Sequence, residues 1–236
     1  MKAMFVVLAT IIIVTGCSSS RTPEEWLTMS ISGLASIDQY EFSGETAVTL
    51  PNGVSGKPKA YRGKVIDHEK LIVQSEGEST SEVNPAKLLA WIQNSPKEVS
   101  LMKSDQEGLV QLSIHMKGDA PAAKLTEQLQ SELTALAADA PKEGAAYRKA
   151  WEEEFHRSKQ QLNEVLKTLR VKSDYKLYVD RNKMLPMQLE EYSMISYVSQ
   201  GRSHQETRRS RIALESFNGR TSSPVQAASK HGTIRR

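Results

Sequence analysis

A single cysteine, Cys17, stands directly behind an apolar leader and two small residues in Val14-Thr15-Gly16-Cys17. Its thiolate is the strongest nucleophile the chain can offer, and it is open to alkylation. Other candidates offer less. Glu152 and His156 are four residues apart on a predicted helix, near enough to share a metal, but a zinc-protease helix needs two histidines at that spacing with a glutamate base. Glu190 and Glu191 are adjacent in a predicted strand, so their carboxylates point to opposite faces. His68, His115, His204 and His231 fall in turns, strands or the tail, with no serine or cysteine partner legible beside them. No glycine-rich phosphate loop or dinucleotide fingerprint occurs. The densest basic cluster, Arg208-Arg209 with Arg211 and nearby Arg202, suits anionic headgroups or acidic wall polymers. On an edge strand the same charges would block unwanted pairing. The sequence therefore predicts no catalytic residue, no metal ligand and no cofactor.

These residues sit in a chain of 236 residues, long enough for one globular domain or at most two small ones. With 39% hydrophobic and 25% charged residues it is neither collagen-like, nor wholly disordered, nor a multi-span membrane protein. One cysteine excludes an intramolecular disulfide framework and any cysteine-rich metal site. Thirty-one basic residues are interspersed with 28 acidic ones, which argues against a nucleic-acid partner.

Met1-Lys2 supplies a short positive start, and Ala3 to Val14 is an uncharged apolar run, the pattern of a secretory signal. At about twelve residues the run is too short for a comfortable permanent span, which needs about 20. Val14-Thr15-Gly16-Cys17 resembles the lipobox of bacterial lipoprotein precursors. That resemblance implies cleavage of residues 1–16, a diacylglyceryl group on Cys17 and a lipidated tether over residues 17–21. Two acyl chains at about 0.8 kcal/mol per buried methylene hold stably to a membrane. Loss of the leader removes only Lys2 among the charged side chains and leaves +2, so the lipid rather than bulk charge must anchor the protein. The expected location is the extracytoplasmic face of the cell membrane, or the outer membrane in a two-membrane cell.

A domain over residues 22–219 should follow. Thr22-Pro23-Glu24-Glu25 has the form of a capping box with proline at the first helical position, and the helix should run to about Asp38. Tyr40 to Leu50 is extended, with Tyr40, Phe42 and Gly44 on one side, and Ala60 to Gln74 reads as a hairpin. Asn84-Pro85 starts a short helix, and Val99–Lys103 and Leu109–Lys117 are the next strands. Two long helices follow, one to about Ala138 and one from about Ala145 to Arg170. The second, about 39 Å long, must lie across a whole face. Three strands over Tyr175–Asp180, Pro186–Val198 and Gln205–Phe217 form an antiparallel meander. Residues 220–236 carry almost no large apolar side chains, cannot offset their ordering entropy and should be a disordered basic tail.

This order of elements behind a lipobox resembles the lipoprotein-carrier fold, which includes the periplasmic lipoprotein carrier, its outer-membrane receptor and mycobacterial lipid-binding lipoproteins. The similarity is carried by Ser36-Ile37-Asp38-Gln39-Tyr40-Glu41-Phe42-Ser43-Gly44 and by Tyr175-Lys176-Leu177-Tyr178-Val179-Asp180-Arg181-Asn182-Lys183-Met184-Leu185-Pro186. It implies an α+β fold, a curved antiparallel sheet or half-open barrel with helices packed on its concave face around an apolar cavity. Flexible methionines and flat rings suit such a cavity, so Trp26, Phe42, Trp91, Met116, Trp151, Phe155, Met187 and Met194 are its candidate lining, and otherwise ordinary core. The function expected is non-enzymatic binding of an apolar ligand, a lipid or the lipidated end of another protein. The alternative is a cell-envelope interaction protein with a solid core that docks a partner through its long helix or basic edge.

Overall fold

Thr22 opens the first helix, α1 (Pro23–Ala35), by the expected reciprocal bonds: the Glu25 amide donates to Thr22 Oγ1 at 3.2 Å and the Thr22 amide to Glu25 Oε2 at 2.8 Å. The computed structural model describes residues 21–68, 70–75, 84–138, 140–141 and 144–221. The leader, the lipobox with Cys17, residues 18–20 of the tether and the tail beyond 221 lie outside the described residues.

After α1 come β1 (Gln39–Thr49), β2 (Lys59–Ile66) and β3 (Lys70–Ser75), a meander in which the predicted hairpin forms β2 and β3. The second helix, α2 (Pro85–Asn94), begins as the sequence indicates, with Asn84 Oδ1 accepting from the amides of Ala86 and Lys87. The hairpin β4 (Lys97–Met102) and β5 (Leu109–Met116) follows, then α3 (Ala120–Ala138) and α4 (Ala145–Thr168). A second meander, β6 (Arg170–Asp180), β7 (Pro186–Ser199) and β8 (Arg202–Phe217), ends in the two-residue β9 (Arg220–Thr221), which pairs with β8. Arg220 and Thr221 thus belong to the sheet rather than to the predicted tail.

All pairings are antiparallel, in the order β3-β2-β1-β8-β7-β6-β5-β4, and the sheet curls without closing, leaving β3 and β4 as its edges. The fold class is the α+β arrangement expected. β8 is interior, paired with β1 on one side and β7 on the other. Arg208, Arg209 and Arg211 therefore lie on a central strand and cannot act as an edge guard. Alternation divides them further, with Arg208 on the inner face and Arg209 and Arg211 on the outer.

The main core lies between α1, α2 and the inner face. Leu27, Leu89, Ile92, Leu112, Ile114 and Leu177 are almost wholly removed from water. Two glycines shape its far end. A Cβ on Gly63 would sit 2.3 Å from the Phe42 ring, and one on Gly44 would sit 2.3 Å from the Tyr61 ring. Since Phe42 pairs with Gly63 and Gly44 with Tyr61, each ring lies flat over the glycine opposite it. A second cluster, Leu169, Val171 and Ile195 with Leu125 and Leu166, lies under α3 and α4. Val171 and Ile195 share the inward alternation of Tyr175, Leu177 and Leu189, so all four helices cover one face.

Candidate functional site

The inner face between these two apolar clusters is polar. Following the register across the strands, one row reads Leu112, Leu177, Leu189, Ile212 and Gly44, closing on the Tyr61 ring. The next row reads Ile114, Tyr175, Glu191, Ser210 and Thr46, and the one after that Ser173, Ser193, Arg208 and Val48. Beyond it Val171 and Ile195 restore apolar surface. A band of hydroxyls and charges thus crosses the sheet at mid-height.

Its members bind one another. Arg208 Nη2 donates to Glu191 Oε1 at 2.8 Å, and Ser193 Oγ donates to the same oxygen at 2.6 Å. Ser173 and Ser193 share a hydrogen bond of 2.7 Å, and Thr46 and Ser210 one of 2.9 Å. Both serines of the first pair are buried, and the Glu191 side chain is only 10% exposed. Burial pushes the Tyr175 hydroxyl well above its ordinary pKa, and it raises that of Tyr61 as well. One polar atom of the band stays unsatisfied: the Arg208 Nε is buried without a hydrogen-bond partner, whereas the Tyr61 hydroxyl lies against the hydroxyls of Ser210 and Thr46. An orphaned guanidinium nitrogen in a protein interior is costly unless something else meets it.

From the helix side, Lys124 of α3 reaches over the Trp91 ring of α2, its Nζ 4.1 Å from the centroid. Trp91 in turn meets Tyr175 edge-on at 6.5 Å. Burial holds the Lys124 ammonium down to about 8, with Glu191 opposing that shift and Arg208 adding to it. Glu127, one turn further along α3 and exposed to water, is the other carboxylate acting on it. Glu206, the next inward carboxylate along β8, accepts from the Tyr197 hydroxyl at 2.6 Å.

Above the band, α3 and α4 are amphipathic but loosely seated. Leu125, Leu129 and Leu133 of α3 and Trp151, Phe155, Leu162 and Val165 of α4 are half-buried, and no described side chain of α4 is fully buried. Trp151 and Phe155 stack on each other, 5.0 Å between centroids and 7° between planes. At the end of the hairpin where α3 passes into α4, Leu136 and Tyr147 are 51% and 67% exposed.

The eight sequence candidates do not converge on one site. Trp26, Phe42, Met116 and Met187 are buried in the main core beneath or beside α1 and α2. Trp91 stands at the margin of the polar band, and Trp151 and Phe155 lie on α4. Met194 pairs with Lys172 and Thr207 in the outward alternation, on the opposite face of the sheet from the helices. Glu190 and Glu191 part company as expected, Glu191 inward to Arg208 and Glu190 accepting from Gln188 Nε2. His156 meets Gln160 on the exposed side of α4, while His68 pairs with Asp38 and His115 with Asp174 at the surface. Among the described residues no group of three or more His, Cys, Asp or Glu gathers to hold a metal. Likewise, no helix among them is long and apolar enough to cross a membrane. A separate open cleft of about 1720 Å³ lies between the first turn of α1 and the β4–β5 turn, lined by charges that include Arg21, Glu24, Asp105 and Glu107.

No family model matches this chain, and no curated protein matches it. Among solved structures it is similar to one titled for lipid–protein interactions in lipovitellin, at a TM-score of 0.33 and 9% identity, over 81% of this chain and 26% of that one. The chain thus spans about a quarter of the lipovitellin chain. It is also similar to the LolA superfamily protein NE2245 from Nitrosomonas europaea, at a TM-score of 0.23 and 6% identity, over 88% of this chain and 96% of that one. Scores of this size mark distant likenesses of outline, and no function passes to this chain from them.

Proposed function

We propose that this chain is a membrane-anchored extracytoplasmic lipoprotein, held by a diacylglyceryl group on Cys17, whose sheet and α3–α4 hairpin enclose an apolar ligand without transforming it. The observation that carries the ligand reading is the half-burial of an entire helical stripe, Leu125 to Leu133 on α3 and Trp151 to Val165 on α4, over the inner face of the sheet. Such a stripe normally sinks to full burial against its own core. Here the stripe is left half-buried, and an acyl chain or a lipidated segment would complete the burial at about 25 cal/mol per Å² of apolar area.

Native mass spectrometry of the full protein, extracted from its membranes in a mild detergent that is released in the gas phase, tests this. A reproducible non-covalent adduct of lipid mass, lost in Leu129→Trp, supports the ligand; repeated absence of any adduct overturns it. Radiolabelled palmitate entering the wild type but not Cys17→Ala supports the anchor, and equal entry into both overturns it. The exposed Tyr147 and Leu136, where α3 passes into α4, favour a second reading. In it the hairpin docks a protein partner of the cell envelope, and the same purification would yield a stoichiometric complex in place of a lipid.

A further inference from the structure

The polar band holds two inward cations, Arg208 and Lys124, against one buried carboxylate, Glu191. Glu127, one turn along α3, acts on Lys124 but is exposed to water, and Glu206 is engaged by Tyr197. An unbalanced positive charge in a partly dry site is unfavourable until an anion meets it. The same site presents the Arg208 Nε with no acceptor, beside the clustered hydroxyls of Tyr61, Thr46 and Ser210. On either side lies apolar surface, the main core toward α2 and the loosely covered stripe toward α3 and α4.

We propose that Arg208 and Lys124 seat the single oxyanion at the head of a long-chain amphiphile, whose tail runs along the apolar stripe between the α3–α4 hairpin and the sheet. The assignment rests on the ligand reading above and deepens it by naming the ligand class. Arg208 offers the unpaired N–H as a charge-assisted donor, and Lys124, held over Trp91, closes the seat from above. The depressed pKa of Lys124 agrees with a cation kept from water and awaiting a counter-charge. Neither a neutral lipid nor a small free anion uses both halves of the site.

Equilibrium binding by Trp fluorescence on the full chain, with oleate, oleyl alcohol and acetate as probes, separates the cases, because Trp91 reports on Lys124 directly. Wild type should bind oleate roughly tenfold or more tighter than oleyl alcohol. Lys124→Gln, on a half-buried helix position, should bring the two within about threefold by weakening oleate. Arg208→Gln should do the same where circular dichroism shows a native fold. Equal binding of oleate and oleyl alcohol by wild type, or a preference that survives Lys124→Gln, overturns the headgroup seat and leaves the ligand reading standing. Acetate displacing oleate at comparable concentration overturns the amphiphile in favour of a free anion. Failure of both long-chain probes to bind overturns the seat and the ligand reading together.

Discussion

Under α1 and α2 the sheet is sealed: Leu89, Ile92, Leu112, Ile114 and Leu177 are at most 1% exposed, and Phe42 and Tyr61 lie flat over glycines. Under α3 and α4 the same sheet, with the same alternation, ends in a small cluster and a helical stripe that is nowhere fully covered. The two halves differ in what the strands present. Toward α2 successive inward positions are aliphatic, whereas toward α3 they are Ser173, Ser193, Arg208 and Glu191, which offer the leucines of the helices no apolar partner. One half of the inner face is thus a core, and the other has the makings of a site.

The largest expected effect sets the halves apart in stability. Leu177→Ala, at a position with no exposure, should lose about 3–4 kcal/mol in urea denaturation, whereas Leu129→Ala on the α3 stripe should lose less than about 1 kcal/mol. Equal losses would erase the distinction. Next is the ion pair. Glu191→Gln leaves Arg208 with no carboxylate and should cost about 2 kcal/mol, less than a fully buried pair because Arg208 keeps some water contact. Gly63→Ala forces the Phe42 ring aside and should cost about 1–3 kcal/mol by the same assay.

The smallest effect has the opposite sign. Lys124 titrates near 8 in the folded protein against 10.5 ordinarily. Between those values the unfolded chain binds more protons, so stability climbs with pH across that window, and below about pH 8 the full penalty of holding the charge remains. Lys124→Met should therefore stabilise the ligand-free protein at pH 7 by about 1 kcal/mol after allowance for its partial exposure, a rise of roughly 2–4 °C in Tm. That gain should fade as the pH rises from 8 toward 10.5; a pH-independent gain would mean that the charge is not its source.

Local chemistry was legible in the sequence. The capping box at Thr22, the Asn84-Pro85 start and the alternation of Tyr175 to Asp180 each depend on neighbours within a few residues, and each appears as read. The separation of Glu190 from Glu191 follows from the same local rule. What was hidden is register. Nothing in a single chain shows that Glu191 faces Arg208, 17 residues away, or that Lys124 crosses over Trp91. Gly44 and Gly63 read as generic strand glycines until the rings opposite them are known. The candidate lining was chosen by residue type, and type does not set the face: Met194 points outward, while Ser173, Ser193 and Arg208, which form the band, carry no apolar signal at all. The alternation of Arg208 against Arg209 was readable, but the central position of β8 was not, since it depends on β1 returning to pair with it.

The most direct test of the account is to add a diazirine-bearing palmitate to the purified full chain, irradiate it and map the labelled peptides. Labels are expected in residues 120–168, in 171–173 and in 191–210, the hairpin and the strands beneath it, and none in α2 or β5. Labels spread evenly over the surface, or confined to the α1 side of the sheet, would contradict it.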